Sequence, residues 1–298
     1  VCDRLGCDEK WRNLRPLCFE DFITAEDLLS SLRDGSLGKF DCILHMGACS
    51  STAETDAGFL FRNNYQFTKD LAEWALAHNS RFVYASSAAT YGDGSAGMSD
   101  SAALDQFRPL NAYGYSKHLF DLYAQRVGWL QQFAGMKYFN IFGPNESHKG
   151  EMRSVVHKGC LEACNSGVIR LFKRYRPEFP DGQQKRDFLY VKDAVEMTLH
   201  VAANAQATGL FNVGSGQART WNDLAASIFQ ALGKSPRVEY IEMPDQIRPR
   251  YQYSTQADIT RLRQTGFDKP IRPLEESVED YICGYILPDR RLGEDDSR

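Results

Sequence analysis

Short apolar runs alternate with amphipathic helical segments through the first half of the chain, an order that few folds accommodate. Residues 41–48, 81–87 and 136–142 read as strands. Thr24-Ala-Glu-Asp27 opens a helix with a capping-box-like pattern, Leu28, Leu29 and Leu32 share its apolar face, and Gly35 stops it. A second helix carries Leu71, Trp74, Ala75 and Leu76 and ends near Asn79. A third runs on from Tyr113, with Leu119, Phe120, Leu122, Tyr123 and Val127 as its core side. Strands separated by helices of this length predict a parallel sheet with right-handed crossovers. The expected class is α/β, doubly wound.

After Pro144 the pattern breaks. Residues 145–187 are polar and carry Lys149, Arg153, Lys158, Lys173, Arg174, Arg176, Lys185 and Arg186. They read either as a solvated loop surface or as a lid over a phosphorylated ligand, since Arg forks suit phosphate. Strands at 188–191, 209–216 and 237–244 follow, with helices at 191–204, 220–232 and 274–286. Thr220 caps the second of these helices and Gly233 ends it. The charged tail 290–298 reads as disordered.

A proton-transfer site is outlined around residues 84–117. Ser86-Ser87 closes an apolar strand, and Tyr113-Gly-Tyr-Ser-Lys117 opens the helix that follows the next loop. Tyr113 and Lys117 are four apart and share a helix face. An ammonium beside a phenol favours the phenolate, so Lys117 is expected to lower the Tyr113 pKa. Ser87 is placed to hold a reacting oxygen within reach of that phenol. Spacing alone carries little, because Tyr65-Gln-Phe-Thr-Lys69 matches it equally.

Val1-Cys2-Asp3 reads as the end of a strand. In a dinucleotide-binding fold an acid at that place accepts from the adenosine ribose, and a nearby base takes a 2′-phosphate. Arg4 and Lys10 are placed for that contact. The Gly-x-x-Gly-x-x-Gly turn that such folds carry ahead of this strand is absent from the sequence, so the chain is expected to be a fragment lacking its first strand and phosphate loop.

Charge and cysteine content exclude several partner classes. A net charge of −4 over 298 residues makes no electrostatic case for nucleic acid or an anionic membrane. No apolar run approaches the roughly 20 residues of a membrane span. Eight scattered cysteines form no disulfide framework and read as reduced thiols of a cytoplasmic protein. Cys160 and Cys164 could share a helix face, yet no ligand completes a metal set, and no metal site is expected.

Ser86-Ser87 with its following Tyr91-Gly92, together with Tyr113-Gly-Tyr-Ser-Lys117, resembles the extended short-chain dehydrogenase/reductase superfamily. Several further stretches are similar to the ADP-L-glycero-D-manno-heptose 6-epimerase family. They are His45-Met-Gly-Ala-Cys-Ser-Ser-Thr-Ala-Glu54, Asn63-Asn-Tyr-Gln66, His148-Lys-Gly150, Lys185-Arg-Asp-Phe-Leu-Tyr-Val191 and Arg250-Tyr-Gln252 with Thr255-Gln-Ala-Asp258. That resemblance spans nearly the whole chain. It implies a bacterial isomerase with bound NADP, acting on ADP-heptose at C6″ through a transient ketone in lipopolysaccharide precursor synthesis. It also implies a homo-oligomer.

By the same carry-over, Ser87, Tyr113 and Lys117 are the catalytic triad, and Lys149 is a second acid/base. Asp3, Arg4, Lys10, Met46, Gly47, Ala48, Cys49, Ser50, Asn63, Lys117 and Ile141 would line the cofactor. Ser87, Asn140, Glu151, Lys158, Phe172, Lys173, Arg174, Tyr175, Arg186 and Tyr251 would face the substrate. Residues 1–142, with 188–209 returning, would form a Rossmann-like NADP-binding domain, and 143–298 mainly a smaller α/β substrate-binding domain. The chain departs from the family pattern at Ala25, Lys137, Glu151 and Lys158, where it usually has Lys, Arg, Ser and His. Another nucleotide-sugar epimerase or dehydratase stays open as an alternative, as does an inert fragment. Dehydratases typically need an acid beside the catalytic hydroxyl, and Ser87-Ala88-Ala89 offers none.

Overall fold

A computed structural model describes residues 1–245, 248 and 251–294. Arg250 and residues 295–298 of the tail lie outside the described residues. The strands are β1 (Cys2–Asp3), β2 (Ile23–Thr24), β3 (Cys42–His45), β4 (Arg81–Ser87), β5 (Ala134–Tyr138), β6 (Asn140–Phe142), β7 (Ile169–Phe172), β8 (Lys185–Tyr190), β9 (Gly209–Val213), β10 (Ala218–Thr220) and β11 (Val238–Ile241). The helices are α1 (Ala25–Arg33), α2 (Ala57–Leu60), α3 (Phe67–Ala77), α4 (Ala112–Arg126), α5 (Val155–Asn165), α6 (Val191–Ala203), α7 (Trp221–Ala231), α8 (Thr260–Gln264) and α9 (Leu274–Tyr281). No helix among the described residues is long and apolar enough to cross a membrane.

The central sheet has the order β3-β4-β5-β9 and is parallel throughout. One apolar layer lies between this sheet and α3 and α4, around Leu71, Trp74, Phe82, Tyr84 and Phe120. A second lies under α6 and α8, around Val83, Met136, Met197, Phe211 and Leu262. A third core, built on Val156, Ile169, Phe188, Leu224, Ile228, Val278 and Tyr281, belongs to the later half of the chain. There β10-β8-β6 and β11-β7 form two small sheets. The segment read as one strand at 136–142 is divided between sheets: β5 pairs with β4 and β9, whereas β6 pairs with β8.

β1 and β2 pair in parallel with each other and with no other strand among the described residues. A cavity of about 390 Å³, lined by Val1, Cys2, Ile23, Leu28, Leu32, Ile43 and Leu71 among others, separates them from β3.

Three readings are corrected here. The stretch 145–187 is neither bare loop nor lid throughout, because it contains α5 and β7. Val156, Cys160 and Ala163 of α5 are buried, and Ser154 caps the helix by accepting from the His157 amide. The start of the tail is docked rather than disordered: Arg291 is buried, and Glu294 pairs with Arg15. Val127 is exposed, since α4 ends at Arg126 and Gly128, at φ 78°, turns the chain away. The buried face of α4 is instead rich in polar groups, with Ser116, Lys117 and Asp121 beside Phe120 and Ala124.

Candidate active site

Ser87 is the last residue of β4, and its hydroxyl accepts from the Ala89 amide, capping the tight turn at 88–91. α4 starts directly above this turn, with Asn111 as its cap. The approach is close enough to require glycine at 114, where a Cβ would stand 2.8 Å from the Ala89 carbonyl oxygen. Tyr113 and Lys117 thereby come over the carboxyl end of β4. Sequence reading and geometry agree that the three residues meet here.

The electrostatics differ from the expectation. The Tyr113 pKa is raised, chiefly by burial, with a Ser87 hydrogen bond working against it. Lys117 does not act on the phenol as its nearest partner. Its ammonium donates instead to the Ala85 carbonyl at 2.8 Å. Burial presses the Lys117 pKa down to about 8, while Asp121 pulls it up. Among the described residues Lys117 forms no ion pair, so a buried ammonium keeps two of its three N–H donors for a ligand.

The loop after β3 is held by a residue that the sequence reading quoted within Asn63-Asn-Tyr-Gln66 but gave no role. Asn64 is fully buried, accepts from the Cys49 amide and donates to the Cys49 carbonyl and the Ser116 hydroxyl. Ser116 donates in turn to the Tyr113 carbonyl. Asn63 donates to Asn64 and accepts from Arg4. One polar chain therefore runs from β1 through the 47–50 loop to the helix of Tyr113. Asn64 was hidden because a mid-helix Asn has no local signature distinguishing a buried hub from a solvated side chain. Gly47 faces open space, Met46 is exposed, and the Met46 sulfur accepts from Tyr138. His45, buried against Thr68, has its pKa driven to about 3 by burial and stays neutral.

At the end of β1, Lys10 pairs with Asp3 at 2.5 Å and Arg4 with Glu26. An acid at the end of this strand fits the adenosine ribose of a dinucleotide. The buried, uncompensated Lys117 fits the other end of a nicotinamide dinucleotide. Ile141 lies in β6 opposite Leu189.

Lys149 stands exposed on the 3-10 turn Ser147–Met152 and has no hydrogen bond or ion pair to Ser87, Tyr113 or Lys117. Lys158 donates to the Glu151 carbonyl at 3.1 Å, so these two lie together beside it. Asn140 is exposed at the start of β6.

Arg186 is the most constrained of the remaining cations. It is buried, lies 4.9 Å from the centre of the Tyr251 ring and 5.6 Å from that of Trp221, and has no ion pair among the described residues. Burial lowers its pKa. Phe172 joins the cluster with its ring 6.3 Å from Tyr251. An unpaired guanidinium among aromatic rings is suited to a phosphate group. Lys173 and Tyr175 are both bound to Glu242, and the Arg174 amide donates to Asp181.

Comparison with known proteins adds a second line of observation. Residues 1–214 match the NAD dependent epimerase/dehydratase family. The ADP-L-glycero-D-manno-heptose-6-epimerase of Nitratidesulfovibrio vulgaris (strain DP4) is 46% identical over 288 residues, which is 96% of this chain and 89% of that protein. The protein of the same name from Fusobacterium nucleatum is 40% identical over 297 residues, covering 96% of this chain and 90% of that one. Among solved structures, the Helicobacter pylori ADP-L-glycero-D-manno-heptose-6-epimerase superposes with a TM-score of 0.73 at 28% identity, covering 89% of this chain and 79% of that one.

Proposed function

The chain belongs to the NAD dependent epimerase/dehydratase family and is an epimerase of its heptose-epimerase branch, and on that premise we propose that it interconverts ADP-D-glycero- and ADP-L-glycero-D-manno-heptose through a 6″-ketone, with NADP as cofactor. The observation that carries this reading is the meeting of Ser87, Tyr113 and the unpaired ammonium of Lys117 at the end of β4.

The stereocentre at C6″ bears a hydroxyl and a hydrogen that no neighbouring group acidifies. Inverting it requires loss of the hydrogen as hydride and its return to the other face of a planar carbonyl. A bound nicotinamide supplies the hydride acceptor and donor. Tyr113 accepts the hydroxyl proton on one side, with Ser87 steadying the oxygen. The product alcohol points the opposite way, so a second donor is needed across the carbonyl, and Lys149 takes that role. The raised pKa of Tyr113 in the bare site makes it a proton donor first; a ribose-bound Lys117 ammonium then moves it toward the base form.

Arg186 and Tyr251 hold the diphosphate in this reading, with Phe172 and the 173–175 segment alongside. Asn140, Glu151 and Lys158 line the same side. Lipopolysaccharide precursor synthesis in the cytoplasm, and a homo-oligomeric assembly, belong to the same reading. The names of the relatives support its heptose-epimerase part.

The test is direct. Incubation with ADP-D-glycero-D-manno-heptose is expected to yield a mixture of the two C6″ epimers by proton NMR. Inertness toward it, with turnover of a UDP-hexose instead, overturns the reading.

Cofactor choice has its own test. Replacing Arg4 and Lys10 together by Ala removes both cations at the end of β1, and only NADP has a 2′-phosphate to lose them. Titration is expected to show NADP affinity falling at least about tenfold more than NAD affinity, in the range of two lost charge-assisted hydrogen bonds. Equal weakening would assign these residues to the shared adenosine or to the fold.

A further inference from the structure

Beneath the site lies an ion pair that the reaction does not use directly. Lys137 of β5 and Asp121 of α4 meet at 2.7 Å, and both side chains are 0% exposed. Lys137 is one of the positions where the chain departs from the resembling family. Asp121 collects three donors: its Oδ1 accepts from the Tyr84 hydroxyl at 2.8 Å, and its Oδ2 from Ser86 and Lys137, each at 2.7 Å. The second contact of Lys137 is donation to the Thr90 hydroxyl at 2.7 Å, and Thr90 donates to the Ser87 carbonyl at 2.7 Å. The ammonium also stands 5.0 Å from the centre of the Tyr91 ring.

These bonds join the three pieces that carry the chemistry. Ser86 and Ser87 end β4, Thr90 and Tyr91 form the turn above them, and Asp121 is one helical turn beyond Lys117 on α4. Gly135, opposite Tyr84 in β5, leaves the room for it, because a Cβ there would come 2.5 Å from the Tyr84 ring. We propose that the Asp121–Lys137 pair is the positioning device of this active site, fixing Ser87 and Lys117 relative to one another through Thr90 and α4. This rests on the roles proposed above for Ser87, Tyr113 and Lys117.

His45 from β3 interacts electrostatically with Lys117 and is neutral, while the phenols beside the Asp121–Lys137 pair, Tyr84 from β4 and Tyr91 from the 88–91 turn, have raised pKa. Tyr113 lies on the helix of Lys117, and Cys49 stands beside that phenol. Asp121, one turn further along the same helix, raises the Lys117 pKa.

The experiment compares Asp121→Asn/Lys137→Met with the unmodified enzyme and with Tyr113→Phe. The double variant removes both members of the pair, so neither is left as a buried charge without its partner, and thermal unfolding tells whether it folds. Positioning predicts KM within about twofold and kcat down at least about tenfold, since misplacement by an ångström can cost about 100-fold. It also predicts the alkaline limb of kcat moving toward acid, because the carboxylate that raises the Lys117 pKa is gone. Normal kcat and an unmoved limb in the folded double variant overturn the proposal. Thr90→Val supplies the same decision should the double variant not fold. It cuts the arm to Ser87 and leaves both charges, so kcat should fall severalfold with KM and the pH limb unchanged. Full kcat in Thr90→Val then overturns the proposal. Full activity in Tyr113→Phe would mean that the reading of the site, rather than the pair, is wrong.

Discussion

Tyr113→Phe and Lys149→Met are each expected to stop net epimerisation while leaving ADP-heptose binding within a few-fold of normal. Both alcohols must lose or gain a proton at an oxygen that points to opposite sides of the ketone, so one acid/base cannot serve both. The expected loss is about 100-fold or more per residue, the usual size of a general acid–base contribution. The two variants should differ from an unfolded protein in a specific way. Each retains one acid/base, so a mixture of an aldehyde analogue and its alcohol should still exchange hydride in at least one of them, followed with a deuterium label. Lys149 makes no hydrogen bond or ion pair with the triad in the structure. Near-normal epimerisation by Lys149→Met would reduce it to a surface cation and leave the second base unidentified.

Lys117→Met is expected to lose both rate and cofactor affinity, unlike the Tyr113 variant. Lys117 is a buried ammonium with one carbonyl partner, Ala85, and no ion pair among the described residues. Its remaining donors suit ribose hydroxyls, and its charge favours the phenolate of Tyr113 once a ligand draws it upward. Rate should fall at least about 100-fold, and NADP affinity about tenfold or more on loss of a charge-assisted contact. The proton count gives a further check. The pKa of Lys117 is depressed to about 8, so the ammonium is fully present below that pH and is lost as pH rises through it. NADP affinity of the unmodified protein should therefore weaken from about pH 8 upward, and Lys117→Met should flatten that limb. An unchanged alkaline limb in the variant would assign the titration to another group.

Several local features were readable from residue order. The Thr24 cap, β4 at Arg81–Ser87 and the shared helix face of Tyr113 and Lys117 all depend on neighbours within four positions. α5 was missed because Val156, Cys160 and Ala163 are sparse among charged and polar residues, and its apolar face appears only against α7 and β7. The division of residues 134–142 between two sheets was equally hidden, since β5 and β6 differ only in which strands lie beside them.

Residue order carried the alternation of strands and helices, the family resemblance and the identity of the candidate acid and base groups. Tertiary structure alone decided the electrostatics of the site. Lys137 and Asp121 are 16 positions apart, and Arg186, Trp221 and Tyr251 come from three separate segments, so no spacing rule joins them. The direction of the Tyr113 shift followed the same logic. The i,i+4 spacing placed a cation on its helix face, yet burial of the phenol and the turn of Lys117 toward Ala85 outweighed it. Helix caps and periodicity are properties of adjacent residues, whereas desolvation and charge pairing depend on what the fold brings from a distance.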